Sequence, residues 1–180
     1  MTEKKKKVLV DADSFQRTVN RLAHQLLESN KGADRMAIIG IRTRGDLLAR
    51  RIARKLMELE GVEIPVGVLD ITLYRDDLKG KLSQPELKAT DILFDITGKN
   101  VVLIDDVLFT GRTIRSALNA LMDIGRPARI ELLVMVDRGH RELPIKADHV
   151  GKNYPTSLNQ EIKVLMNEID GEDAIYLLEN

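Results

Sequence analysis

Three runs of strand length constrain this chain most: Met36–Ile41, Val101–Ile104 and Ile130–Val136. The first two carry no polar side chain, and the third is broken only by Glu131. A half-exposed strand alternates apolar and polar residues, so runs like these belong to strands covered on both faces. Helical segments lie between them. Phe15, Val19, Leu22 and Leu26 follow at steps of four, three and four. Leu48, Ile52, Leu56 and Leu59 mark one face of a helix over 46–60, with Gly61 after it, and Ile114, Ala117, Leu118 and Leu121 do the same over 113–124. Strand and helix in alternation imply a parallel sheet with helices on both faces. A short strand, Val8–Val10, precedes the first helix, where Asp11, Asp13 and Ser14 offer N-caps. That helix is expected to stop at Asn30-Lys31-Gly32, with Gly32 as the left-handed cap. Val62–Leu73 reads as a strand region interrupted by Pro65, and 75–90 has no period. Beyond Val136, Pro144 and Pro155 break the pattern, and short strands are expected near Ile162–Met166 and Ala174–Leu178. A length of 180 residues suits one domain.

The composition removes several chemistries. There is no Cys, which excludes disulfides, thiolate metal sites and a Cys nucleophile. Lys and Arg number 28 against 28 Asp and Glu, so any nucleic-acid site must be a local basic patch. No apolar run approaches the roughly 18 residues of a membrane helix. Lys4–Lys7 is not followed by the apolar stretch of a secretory signal. The expectation is a cytoplasmic protein.

In open α/β sheets, ligands bind beyond the carboxyl ends of the strands. The segments there are Arg42-Thr43-Arg44-Gly45, Tyr74-Arg75-Asp76-Asp77, Asp105 to Thr113, and Asp137-Arg138-Gly139-His140-Arg141. All are dense in charge. The third joins a strand, an acid pair and a short turn opening a helix: Asp105-Asp106-Val107-Leu108-Phe109-Thr110-Gly111-Arg112-Thr113. A helix N-terminus offers free N–H groups and the positive end of its dipole to a phosphate. Gly111 permits close approach, and Thr110 and Thr113 add hydroxyl donors. Two carboxylates would repel a phosphate they touched, but they suit the hydroxyls of a sugar. A ribose 5-phosphate fits, with phosphate in the turn and the 2′- and 3′-hydroxyls on Asp105 and Asp106. An acid pair alone more often just ends a strand; the whole arrangement argues for the site. There is no Walker A loop, G-x-G-x-x-G, G-x-S-x-G or H-E-x-x-H motif.

This segment resembles the phosphoribosyl pyrophosphate (PRPP) signature of type I phosphoribosyltransferases. Asp70 to Asp77, Val136 to Ile145, Gly151-Lys152-Asn153 and Pro155-Thr156-Ser157 narrow the likeness to the bifunctional pyrimidine-operon regulators with uracil phosphoribosyltransferase activity. The resemblance implies an α/β type I phosphoribosyltransferase fold, a mostly parallel sheet flanked by helices, within one domain of 1–180. Its core would span about 8–136, with a lid loop at about 75–90 and a small C-terminal hood at about 137–180. It implies uracil and PRPP as substrates, UMP and pyrophosphate as products, and Mg²⁺ entering with PRPP and no assigned protein ligand. Thr43 and Arg44 would form the pyrophosphate loop, and Arg75 would reach the same group on closure. Val107, Leu108, Phe109, Thr110, Gly111, Arg112 and Thr113 would cradle the phosphoribosyl group. Arg138 is the candidate near the phosphates or base, and main chain around Ile162 would read uracil. No general base is assigned. A purine phosphoribosyltransferase with no RNA role is the alternative.

The regulators of this family bind a leader stem-loop of pyrimidine mRNA, with UMP or UTP as co-regulators. Here Arg17, Arg21 and His24 stand at i, i+4 and i+7 opposite the apolar helix face, with Asn20 among them. Arg141, Lys146 and Lys152 form a second basic group. A homodimer or larger assembly would widen that surface. Asn20 and Ser29 stand where the family often has Thr and Arg, and Lys146 where Arg is common. A missing guanidinium weakens bidentate contacts.

Overall fold

A computed structural model describes residues 5–72 and 90–179. Five strands form one parallel sheet: β2 (Met36–Ile41), β3 (Val66–Leu69), β4 (Asn100–Leu108), β5 (Arg129–Asp137) and β6 (His149–Asn153). Their order is β3-β2-β4-β5-β6. The side chains of β4 divide as a buried strand requires. Val102 and Ile104 join one core, with Phe15, Leu22 and Leu26 of helix α1 (Ala12–Asn30) and Leu48, Ile52 and Leu56 of α2 (Arg44–Glu60). Val101 and Leu103 join the other, with Ile114, Ala117 and Leu121 of α3 (Arg112–Ile124). This two-sided burial is why the three runs read as continuously apolar.

A second, antiparallel sheet has the order β1-β8-β7, from β1 (Lys5–Val10), β7 (Gln160–Leu165) and β8 (Ala174–Glu179). A short helix, α4 (Asn167–Asp170), links β7 to β8. Ile162, Val164, Ile175 and Leu177 pack into the core shared by α1 and α2, so this sheet caps that face.

The expected boundary between core and hood is therefore redrawn. The N-terminal strand belongs to the cap, because β1 pairs with β8. His149–Asn153 belongs to the central sheet, because β5 offers it a free parallel edge. Gly151 makes this possible: a Cβ there would lie 2.5 Å from Met135 O and 2.9 Å from Thr18 Cγ2 on α1.

Two local details also differ. The left-handed cap of α1 is Lys31, at φ 54°, with Gly32 following at φ 110°. Lys31 and Gly32 N–H groups donate to the Glu28 and Leu27 carbonyls, closing the helix end. The N-cap is Asp11, whose side chain accepts from Ser14 N at 2.8 Å. In the strand region expected over Val62–Leu73, β3 ends at Leu69. Asp70 Oδ1 accepts from both the N–H and the hydroxyl of Thr72, at 2.9 and 2.6 Å, and this turn ends the strand. Of the lid expected at about 75–90, residues 75–89, with Arg75, Asp76 and Asp77, lie outside the described residues, and Thr90 exchanges hydrogen bonds with Asp70.

Candidate functional site

The carboxyl ends of β3, β2 and β4 open on a cleft of about 310 Å³. Its walls come from Arg42, Thr43 and Arg44 after β2, Asp70 to Thr72 after β3, and Asp105, Asp106, Val107 and Thr113. Two glycines set its width. A Cβ on Gly45 would sit 2.5 Å from Ile104 O and 3.1 Å from Asp105 Cα. One on Gly40 would sit 2.4 Å from Asp46 Cα and from Gly45 O. The first turn of α2 is thus pressed onto β4 where the acid pair begins. The Arg42–Thr43 peptide is cis.

The acid pair lies within β4 and not after it, since the strand runs on to Leu108. Each carboxylate is oriented by main chain: Asp105 Oδ1 accepts from Asp106 N, and Asp106 Oδ1 from Val107 N, both at 2.9 Å. Asp105 is buried and Asp106 partly exposed. The turn is consequently shorter than the motif implied. Gly111, at φ 91°, is the N-cap of α3 and, lacking a side chain, makes no side-chain cap hydrogen bond. An uncapped N-terminus beside a cleft is the arrangement an anion uses. Thr110 holds the turn down, its hydroxyl accepting from Arg112 N at 3.3 Å and its carbonyl from Glu142 and Leu143 N–H groups.

The segment after β5 backs the turn and does not line the cleft. Arg138, expected near phosphates or base, is buried, and its guanidinium donates to Thr156 Oγ1 at 2.9 Å, Ser157 O at 3.3 Å and Gln160 O at 2.7 Å. Its charged carbon also lies 4.0 Å from the centre of the Phe109 ring. Three acceptors and an aromatic face outcompete a position in the cleft. Arg112 is exposed and paired with Glu142. Leu108 is buried in the α3-side core. Ile162 buries its side chain in the opposite core, leaving only its main chain for a ligand.

Burial alone would raise the Asp137 carboxyl. The Arg141 guanidinium and the Gly139 N–H outweigh it and hold the group below the usual carboxylate range.

Arg42 lay in a strand-end segment singled out in the sequence but was given no role, and Asp70, Ile71 and Thr72 were not expected to line the cleft. The signal for the last three was Asp70 itself, an acid two residues before a threonine, which favours a turn over a strand. Among the described residues, no group of three His, Cys, Asp or Glu side chains could hold a metal.

The basic residues gather elsewhere. Arg17, Arg21 and His24 are exposed on α1, while Asn20 is half-buried and accepts from Gln16. Arg21 Nη2 donates to Gly151 O at 2.5 Å, which ties the helix to β6 beside exposed Lys152. A depression of about 640 Å³ lies between α1 and this edge, with Ser29, Lys146 and His149 on its walls beside the acids Glu28, Asp137 and Asp148. The two basic groups of the sequence therefore flank one edge. Arg141 departs from that picture. Its nitrogens donate to Phe109 O, Gly139 O and Ile145 O, and pair with Asp137, so its charge is engaged inside the fold.

The phosphoribosyl transferase domain model matches residues 7–164. A Bifunctional protein PyrR from Thermus aquaticus is 58% identical over 171 residues, covering 95% of this chain and 94% of that protein. Namesakes from Deinococcus deserti and Pelotomaculum thermopropionicum are 55% and 51% identical, over 96% and 98% of this chain. This chain is a phosphoribosyltransferase of the PyrR family. The fold agrees. The hypoxanthine phosphoribosyltransferase of Trypanosoma cruzi superposes with a TM-score of 0.72 at 17% identity, covering 96% of each chain. That of Staphylococcus aureus gives 0.71 at 20% identity, covering 96% of this chain and 92% of its own. Among the described residues, no helix is long and apolar enough to cross a membrane.

Proposed function

We infer that this protein regulates pyrimidine-operon expression by binding leader mRNA under the control of uridine nucleotides, and that it is a uracil phosphoribosyltransferase. Uracil and PRPP give UMP and pyrophosphate. The observation that carries the enzymatic reading is a single juxtaposition: the uncapped start of α3, the Asp105–Asp106 pair and the Thr43–Arg44 segment meet at one cleft, with Gly45 pressed onto β4. Membership of the PyrR family supports the substrate and the regulatory role.

In this reading the 5′-phosphate sits on the main-chain N–H groups of the turn at Gly111, with the Thr110 and Thr113 hydroxyls as further partners. Asp105 and Asp106 accept from the ribose hydroxyls and fix the sugar. Thr43 and Arg44 meet the pyrophosphate, where charge develops as the glycosidic carbon becomes cationic, and stabilise the leaving group by preorganised donors. Arg75 is assigned to the same group. Uracil is read by main chain near Ile162, and no side chain is assigned as general base. Val107 to Arg112 complete the cradle, with Phe109 held by Arg138. Mg²⁺ would arrive with PRPP and neutralise its pyrophosphate charge, with no protein ligand assigned to it.

The RNA reading uses Arg17, Arg21, His24, Lys146 and Lys152 about the α1–β6 edge, with Asn20 on the side of α1 that faces α2 and the cap sheet. Arg141 serves this face from beneath, by holding the loop that carries Lys146 against the phosphate turn. A hairpin loop with splayed bases and accessible phosphates fits such an edge. A homodimer or larger assembly acting in the cytoplasm would present two copies of it. One nucleotide pocket then serves as substrate site and sensor, through different RNA affinities of its occupied and empty states.

The test has two arms. Formation of UMP from uracil and PRPP is measured with hypoxanthine and guanine as competitors. Exclusive use of uracil supports the assignment, and turnover of a purine in its place refutes it. Binding of a pyrimidine leader hairpin is measured with and without UMP across salt. Affinity that rises with UMP supports regulation, and affinity indifferent to UMP at every salt concentration refutes it.

A further inference from the structure

Arg44 opens α2 and lines the cleft. Its guanidinium is anchored from far along the chain. Nη2 donates to both carboxylate oxygens of Asp170, at 3.0 and 3.3 Å, across 126 residues of sequence. The Nε of the same group is buried and has no hydrogen-bond partner among the described residues. A buried charged donor without an acceptor is costly, so an Nε left unpaired on a guanidinium that lines a cleft calls for a partner.

Asp170 is itself held in place. Its Oδ2 accepts from Met166 N at 2.9 Å. The turn around it is fastened to α2 again by Arg51, which pairs with Glu168 at 2.5 Å and Asp173 at 2.7 Å. Asp173 in turn accepts from Asn167 N at 2.8 Å. Burial opposes ionisation of the Asp170 carboxyl, but the Met166 N–H and Arg44 outweigh it and keep the group below its ordinary range. A carboxylate charged and fixed in this way is a suitable anchor for one nitrogen of a guanidinium. The pair also joins two parts of the molecule: the cap sheet, through the turn after β7, and the segment beside the acid pair.

We propose that Asp170 is a positioning residue for phosphoribosyl transfer, gripping Arg44 by Nη2 so that its remaining N–H donors serve the pyrophosphate of PRPP. This rests on the phosphoribosyltransferase reading of the cleft and adds the group that orients its arginine. A guanidinium has five N–H donors in a rigid fork, so fixing one nitrogen fixes the direction of the others. The link also makes PRPP affinity depend on the seating of the cap.

The experiment compares wild type, Asp170→Ala, Asp170→Asn, Arg44→Ala and the Arg44→Ala/Asp170→Ala double variant. It measures KM for PRPP, KM for uracil, kcat and direct PRPP binding. Asp170→Ala is expected to raise KM and Kd for PRPP about tenfold, with KM for uracil within about twofold, and Asp170→Asn to fall between it and wild type. In the Arg44→Ala background the second change should add nothing, since the carboxylate acts through the guanidinium. Glu172→Gln alters the same connection at a residue that contacts Lys6 and Tyr176 and neither Arg44 nor Arg51, and should leave KM for PRPP unchanged. Unaltered PRPP affinity in Asp170→Ala, effects that add fully to those of Arg44→Ala, or an equal loss in Glu172→Gln would each overturn the proposal. If wild type transfers no phosphoribosyl group to uracil, the underlying reading fails instead.

Discussion

Replacing Gly45 by Ala tests whether the cleft depends on the closeness of α2 to β4. The added methyl carbon would lie 2.5 Å from Ile104 O, where ordinary contact begins at 3.4 Å. The obstacle is main chain on both sides, so no side chain can swing away. The first turn of α2 must retreat by roughly 0.9 Å, or β4 must yield by the same amount. Forcing extra volume into such a contact costs about 1–3 kcal/mol. For a domain of this size, that lowers the melting temperature on the order of 5 °C. The catalytic effect should exceed the stability effect, because the retreat separates Thr43 and Arg44 from Asp105. A displacement near 1 Å costs roughly 10²-fold in rate, or about 2.7 kcal/mol of transition-state stabilisation. The assay is steady-state UMP formation with PRPP varied, beside a thermal melt. Gly61→Asn is the control, since Gly61 is left-handed at φ 68° with nothing within 4 Å, a conformation Asn tolerates. Gly45→Ala with wild-type kcat/KM for PRPP would refute the claim that this close approach builds the cleft.

Asp105→Asn combined with Asp106→Asn keeps the main-chain contacts of both side chains but removes their charge. Turnover should fall about 10²–10⁴-fold, at about 1.5–3 kcal/mol for each charged hydrogen bond lost, while the melting temperature stays within a few degrees. Unchanged rates would remove the acids from the reaction. For RNA, Arg21→Ala and Lys152→Ala should each weaken leader-hairpin binding and reduce the salt slope by about one; an unaltered slope would place the phosphates elsewhere. Glu131 gives a pH prediction. Burial works against its charge, but the hydrogen bond from His149, the nearby Arg129 and the Ser29 hydroxyl together hold its carboxyl below the ordinary value of 4.5. A carboxyl lowered by folding stabilises the fold above its unfolded pKa, and that contribution is lost as pH falls. Resistance to denaturant should therefore weaken from about pH 4.5 downward, and Glu131→Gln should be less stable at neutral pH with a shallower acid slope. An identical acid slope in the variant would count against this account.

The parts of the fold that were legible share a physical cause. β2, β4 and β5 announce themselves because both their faces are buried, and α1 to α3 because one face of each is. The turn from β4 into α3 was legible because strand, acids, Thr and Gly follow one another within thirteen residues. Features resting on contacts distant in sequence were not. His149–Asn153 has no strand pattern of its own and is a strand because β5 offers an edge and Gly151 admits α1. The Arg44–Asp170 pair spans 126 residues and leaves no local trace. Arg138 and Arg141 look alike in sequence as cations beyond a strand, yet both are turned inward by carbonyl oxygens that only the folded loop supplies. A cation count locates a basic segment; it does not say how much of its charge reaches water.

The pairing of Lys5–Val10 with Ala174–Glu179 has a consequence for biogenesis. During synthesis the first of these strands leaves the ribosome long before its neighbour exists, and its ladder waits for nearly the whole chain. The parallel sheet can assemble on the nascent polypeptide, since β2 to β6 lie within 36–153. Closure of the cap comes afterwards, as a late, non-local step whose loop-closure cost is met only once β8 arrives. A chain released before Ala174 would thus carry a nearly finished sheet under an unzipped cover, with β1 presented as an open edge to any other strand nearby.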